Sequence, residues 1–205
     1  MQTANYWIHH LKLDPHPEGG FYKETYRSKE NIQLCGLPLR FPAPRSFSTA
    51  IYFLLRGQDK SLFHRIKSDE LWHFHAGSAL NIYVLQHESL STFQLGNNLE
   101  QGEFLQVVVP ANCWFGAKVM SPEMYTLSSC TVAPGFDFKD FEIADRKKRL
   151  QEFSKFAEII NELTSVRLVR DNQFSNQRFR RGFNDNRINA FTSLTNMKRY
   201  DVFSG

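Results

Sequence analysis

Hydrophobic and polar positions along this chain recur at two periods, one after the other. From Phe21 to Arg27 the period is two, with Phe21, Lys23, Thr25 and Arg27 on one face and Tyr22, Glu24 and Tyr26 on the other. With Gly19-Gly20 ahead of it, this pattern predicts a strand entered from a turn. Upstream, residues 6–13 predict a short amphipathic turn that Pro15 and Pro17 end. Residues 29–44, with Gly36, Pro38, Pro42 and Pro44, predict a loop. Short β-rich runs follow: Ser46–Leu55, Leu62–Ile66, Glu70–His75, Ala79–Gln86, Leu90–Leu95, Phe104–Val109, Trp114–Lys118 and Tyr125–Val132. Arg56-Gly57-Gln58-Asp59, Ala76-Gly77-Ser78, Gly96-Asn97-Asn98 and Pro110-Ala111-Asn112 separate them as turns. Many short strands at this spacing predict an antiparallel sandwich or barrel.

From Asp145 the period lengthens. Leu150, Phe153, Phe156, Ile159, Ile160 and Leu163 recur at three- and four-residue steps, opposite Arg146–Arg149. This predicts one C-terminal helix packed on the barrel. Beyond Val166 no period is sustained. The expected organisation is therefore a domain over residues 1–165 and a poorly ordered tail over 166–205.

Composition places the chain among globular proteins: 205 residues, 41% hydrophobic, with 19 phenylalanines. No run reaches the ~20 apolar residues that span a bilayer, and Met1–Asp14 lacks the features of a secretion signal, so no membrane partner is expected. Cys35, Cys113 and Cys130 have no C-x-x-C spacing and read as reduced thiols in a cytoplasmic protein. The net charge of +4 is unevenly placed. Residues 1–165 hold 17 Lys and Arg against 18 Asp and Glu, a balance of −1, and residues 166–205 hold 8 against 3, a balance of +5. The basicity belongs to the tail, and a nucleic-acid partner is not expected. No G-x-G-x-x-G or G-K-[ST] loop supports a nucleotide-binding fold.

The densest chemistry lies between His64 and His75, where three of the seven histidines stand with Asp69 and Glu70. Imidazole beside carboxylate suits both divalent metals and proton transfer. The spacing of His64, Glu70 and Gly77 resembles the first cupin motif. Longer strings are more specific: Asp14–Ser28 (DPHPEGGFYKETYRS), Thr49–Leu55 (TAIYFLL), Ser68–His73 (SDELWH) and Ala133–Phe138 (APGFDF). In order over about residues 8–165, they resemble the cupin-5 family, or domain of unknown function 985. The resemblance implies an all-β double-stranded β-helix, a jelly-roll barrel, with a small-molecule pocket at its mouth and a homodimeric state. It implies a fold shared with sugar-nucleotide epimerases, germins and seed storage proteins, but no settled reaction.

Against the motifs of metal-binding cupins, Leu62 and Phe115 stand where two metal histidines are usual. No cofactor is therefore expected. If a divalent metal is bound, the resemblance leaves His64, Glu70 and His73 to hold it. Strand alternation puts Glu70, Trp72 and Phe74 on one face and Leu71, His73 and His75 on the other, so Glu70 and His73 meet only through a bulge. The expected reaction is isomerisation or epimerisation of a carbohydrate-like or keto compound, with His64 as base, Glu70 tuning it and Tyr22 or Tyr52 as acid. Arg27 and Arg45 would pair with an anionic group of the ligand, and His73, Trp72, Trp114, Phe136 and Phe138 would contact it. The alternatives are a metal-dependent cupin enzyme of the oxygenase type and a ligand-binding or storage protein without turnover.

Overall fold

Each turn signal named above separates two strands in the computed structural model, which describes residues 2–165. In chain order these are α1 (Ala4–His10), β1 (Asp14–Pro15), β2 (Phe21–Arg27), β3 (Asn31–Ile32), β4 (Arg45–Ser46) and β5 (Thr49–Arg56). Next come β6 (Lys60–Arg65), β7 (Asp69–Gly77), β8 (Leu80–Gln86), β9 (Ser89–Leu95) and β10 (Gln106–Val109). The remainder are β11 (Trp114–Val119), β12 (Tyr125–Ala133), β13 (Glu142–Ile143), α2 (Arg146–Glu152) and α3 (Ala157–Glu162). The six-stranded sheet has the order β1-β2-β5-β12-β7-β10, and the five-stranded sheet β13-β6-β11-β8-β9. Strand pairs within both sheets are antiparallel. This is the all-β jelly roll that the turn spacing and the family resemblance predicted.

Alternation along the strands sorts the apolar residues into an interior and two outer layers. Phe53, Leu55, Trp72, Ile82, Val84, Phe115, Ala117 and Cys130 point between the sheets and form the barrel core. On the outer side of the six-stranded sheet, Leu54, Tyr125 and Leu127 pack under Trp7, Ile8 and Leu11 at the amino terminus. Trp7 Nε1 donates to Tyr125 Oη at 2.8 Å, which ties the opening helix to β12. On the outer side of the five-stranded sheet, Phe63, Leu85 and Trp114 lie beneath Ile160 and Leu163. The backbone N–H of Phe63 donates to the Leu163 carbonyl at 2.7 Å.

The expected single C-terminal helix is instead two short helices joined by a 3₁₀ turn over Ser154–Phe156. The side chains give the reason. Leu150, Phe153, Phe156 and Ile159 repeat at three-residue steps, which drift around a 3.6-residue helix but stay aligned on a 3.0-residue one. The expected loop over 29–44 also carries β3, which pairs with β4. The tail predicted over 166–205 lies outside the described residues.

Candidate functional site

The segment Pro15-His16-Pro17-Glu18-Gly19-Gly20 folds back on itself: His16 N–H donates to Gly20 O and Gly19 N–H to His16 O. Gly19 and Gly20 take φ values of +117° and +73°. A Cβ at Gly19 would stand 2.0 Å from the Lys60 carbonyl oxygen, so the turn presses backbone to backbone against β6. Leu62 N–H then donates to Glu18 O at 3.1 Å, and the Glu18 side chain enters the barrel beside Ser61 and His64.

Glu18 is the hinge of a buried polar cluster. Ser61 Oγ donates to its Oε1 at 3.1 Å, and His64 Nδ1 lies 3.0 Å from its Oε2. The same His64 Nδ1 stands 2.8 Å from the Leu62 carbonyl, which can only accept. Nδ1 therefore carries the hydrogen, and Nε2 is left with its lone pair. His16 takes the other tautomer: the Glu18 backbone N–H donates to its Nδ1 at 3.3 Å. The 3.6 Å approach of that nitrogen to Glu18 Oε1 is thus not an ion pair. Rings close around the cluster. Phe115 lies 4.0 Å and Phe141 5.2 Å from the His64 ring, Tyr22 meets His16 edge-on at 4.6 Å, and Phe53 meets it at 5.6 Å.

Glu70 completes the group from β7, on the inward face that Trp72 shares, with the Cys130 thiol donating to its carboxyl. Burial raises Glu70 from the usual carboxylate range to about 7, although the Cys130 hydrogen bond opposes the shift. Burial also holds Glu18 well above that range; the Glu70 charge adds to the shift and the Ser61 hydrogen bond works against it. The imidazoles move the other way. Burial, reinforced by His64, lowers His16 to about 3, and burial lowers His64 to about 4 despite the Leu62 carbonyl. The ordinary order of proton affinity is reversed, so here the carboxyl keeps a proton more readily than the imidazole.

Of the residues singled out in the sequence, His64, Glu70, Tyr22 and Trp72 are brought into this interior. Phe136 touches it through Phe141, at 6.3 Å between rings, while Phe138 stacks edge-on against Phe136 at 5.0 Å and is largely exposed. The others lie elsewhere, for identifiable reasons. Arg45 is buried with Asp140, donating to both carboxylate oxygens at 2.6 and 2.7 Å and to the Ala43 and Pro44 carbonyls. Arg27 donates to Glu24 at 3.0 and 2.7 Å and to the Phe136 carbonyl. Neither guanidinium is free for a ligand anion. Tyr52 alternates with Phe53 and packs on the outer side with Leu54 and Leu127. Trp114 lies outside the barrel between the Arg65 and Arg149 guanidiniums, at 4.5 and 4.2 Å. His73 faces away from Glu70, its Nε2 3.4 Å from Thr131 Oγ1.

The alternation also decides the proposed metal triad. The β7 bulge falls at His75, between Phe74 and Ala76, beyond the point where it could re-aim His73. His64, Glu70 and His73 do not converge, and among the described residues no three His, Cys, Asp or Glu side chains form a ligand set. Phe115, paired with His64 across β11 and β6, sets a ring where a donor would be needed. With hydrogen on the Nδ1 that faces Glu18 and Leu62 O, Nε2 is the one His64 nitrogen left with a ligand lone pair.

His16, Glu18, Ser61 and Cys130 were missed as site residues. His16 and Glu18 sit inside the string that carried the family resemblance, and their signal was the Gly-Gly pair that lets the turn approach β6. A surface cleft of about 490 Å³ between Thr3, Arg56, Pro122 and Tyr125 contains none of these groups.

Two solved structures share this fold, and one further protein is similar in sequence. SO0799 from Shewanella oneidensis is 38% identical, with 80% of this chain and 99% of that chain covered and a TM-score of 0.73. A hypothetical protein from Leishmania major is 33% identical over the same shares, with a TM-score of 0.72. The uncharacterized protein YML079W of Saccharomyces cerevisiae is 29% identical over 171 residues, 78% of this chain and 83% of the yeast protein. The family model described as "Cupin superfamily (DUF985)" matches residues 5–144, which hold the His16–Glu18 turn, His64, Glu70 and Cys130. The chain belongs to this DUF985 family of the cupin superfamily.

Proposed function

We propose that the protein binds a carbohydrate-like or keto compound inside its barrel and moves a proton on it, as an isomerase or epimerase without a metal. One observation carries this reading: His64 and Glu70 face the same buried interior beside Glu18, where burial raises Glu70 to about 7 and lowers His64 to about 4. Two groups whose environments push their proton affinities apart make an acid and a base. Neutral His64 is the base, through the Nε2 lone pair left when Nδ1 binds Leu62 O and Glu18. Glu70, still partly protonated at neutral pH, is the acid and matches the operating range. Glu18, its Oε2 3.0 Å from Nδ1, orients the imidazole. Tyr22, whose hydroxyl burial holds above its ordinary value, keeps its proton and serves as a hydrogen-bond donor.

The test is solvent-deuterium exchange. Wild type, H64N and E70Q are incubated in heavy water with aldoses, ketoses and 2-keto acids, and label beside the carbonyl is read by NMR. Wild type is expected to label at least one compound, and each variant to slow labelling by about a hundredfold or more. Binding without labelling would establish a ligand-binding protein instead.

A further inference from the structure

We infer that the ligand of this site is uncharged and presents a carbonyl or hydroxyl oxygen to the indole N–H of Trp72. The inference rests on the reading of the barrel interior as the ligand site, and it narrows the class of compound. Among the described residues, four buried side-chain atoms have no hydrogen-bond partner: Ser46 Oγ, Trp72 Nε1, Asn81 Oδ1 and Arg149 Nε. Of these residues, Trp72 alone belongs to the interior core, beside Phe53 and across from Cys130. Buried indoles usually find an acceptor, as Trp7 does in Tyr125. The Trp72 ring is about 1% exposed, and its N–H is a donor inside the barrel still in need of an oxygen.

The charge around it selects against an anion. The interior holds two carboxyls, Glu18 and Glu70, and the imidazoles beside them stay neutral. The guanidiniums that the sequence offered to a phosphate or carboxylate are committed elsewhere, Arg45 to Asp140 and Arg27 to Glu24. A phosphate ester would bury its charge among carboxyls that hold their protons and imidazoles that stay neutral, with no free guanidinium to meet it, a poorly solvated arrangement. A cation would likewise be buried without a settled counter-charge, and it would leave the Trp72 donor without an acceptor. A neutral polyhydroxy or carbonyl compound satisfies both: its oxygen accepts from Trp72, its hydroxyls bond Glu18, Glu70 and Ser61, and its carbon face lies on the surrounding rings.

The full-length protein, nitrogen-labelled at its tryptophans, is titrated with matched pairs: glucose, fructose and glyceraldehyde, each against its phosphate ester, with choline as the cationic control. W72F identifies the Trp72 indole signal, and the other two of the three tryptophans serve as internal references. At least one neutral compound is expected to move that signal downfield at about 10 mM, since millimolar affinity is ordinary for so small a ligand. Its phosphate ester should not, and W72F should bind it about tenfold more weakly, the loss of one hydrogen bond. If W72F does not fold, W7F and W114F identify the Trp72 signal by elimination, and its response in wild type decides. Tighter binding of a phosphate ester, binding of choline alone, or no response to any neutral compound overturns the inference. The two readings fail separately. A neutral compound that binds Trp72 but takes up no deuterium removes proton transfer and leaves this inference standing, whereas a phosphate ester that exchanges deuterium does the reverse.

Discussion

Glu70 faces the barrel interior with its proton held to about 7, against an ordinary 4.5, and this makes folding sensitive to alkali. As pH rises between those values the unfolded chain releases the proton first. The stability that Glu70 contributes is therefore complete below 4.5 and lost as pH climbs through about 7. At ~1.4 kcal/mol per pH unit the loss reaches roughly 3 kcal/mol. E70Q removes the titration, so it should gain stability over wild type at about pH 8 but not at about pH 5, as read by urea unfolding. An equal effect at both values would contradict the assignment. His64 acts in the opposite sense: its contribution is full above 6.5 and lost as pH falls toward about 4, and H64N should remove that limb. Arg45 is a structural residue on this account. R45A removes both hydrogen bonds to the buried Asp140 and leaves it Lys67, at 3.7 Å, as an ion-pair partner, so it should cost about 2 kcal/mol or more in urea unfolding, while a cost under about 1 kcal/mol would contradict the pairing. His64 and Glu70 were legible because motif spacing marked them. Arg45 was misread because its partner, Asp140, lies 95 residues along the chain.

Among the elements, the Pro15–Gly20 turn matters most to the site, since it delivers both His16 and Glu18. G19A combines a φ of +117° with a Cβ 2.0 Å from the Lys60 carbonyl oxygen. It should cost about 2 kcal/mol or more in chemical denaturation and disturb the Glu18–His64 contact. Gly102 is the control: its φ is +78°, but a Cβ there meets nothing within 4 Å. G102A should cost only about 1 kcal/mol, and equal costs at the two positions would show that the turn does not press on β6. Turn chemistry made the strands legible, because Gly, Pro, Asn and Asp punctuate them directly. The split of the closing helix was also written in the chain, in the three-residue spacing from Leu150 to Ile159, but a 3.6-residue template absorbed it. On β7, alternation correctly warned that Glu70 and His73 diverge, and the bulge at His75 leaves that divergence in place.

At the scale of the molecule, two antiparallel sheets enclose the cluster, with α1 packed outside one and α2 and α3 outside the other. The layered fold could be inferred from period and turns. The order of strands could not, because pairing β12 between β5 and β7 joins segments far apart in sequence. That order brings Cys130 to Glu70, and the approach of the Pro15–Gly20 turn to β6 brings Glu18 to His64, so the site emerges only at this level. Among the described residues no helix is long and apolar enough to cross a membrane. The account rests on His64 being a neutral base held by Leu62 and Glu18, and nitrogen NMR of its imidazole tests that most directly. It predicts hydrogen on Nδ1, a bare Nε2 and no imidazolium down to about pH 5. An imidazolium at about pH 6, or hydrogen on Nε2 with Nδ1 bare, would contradict it.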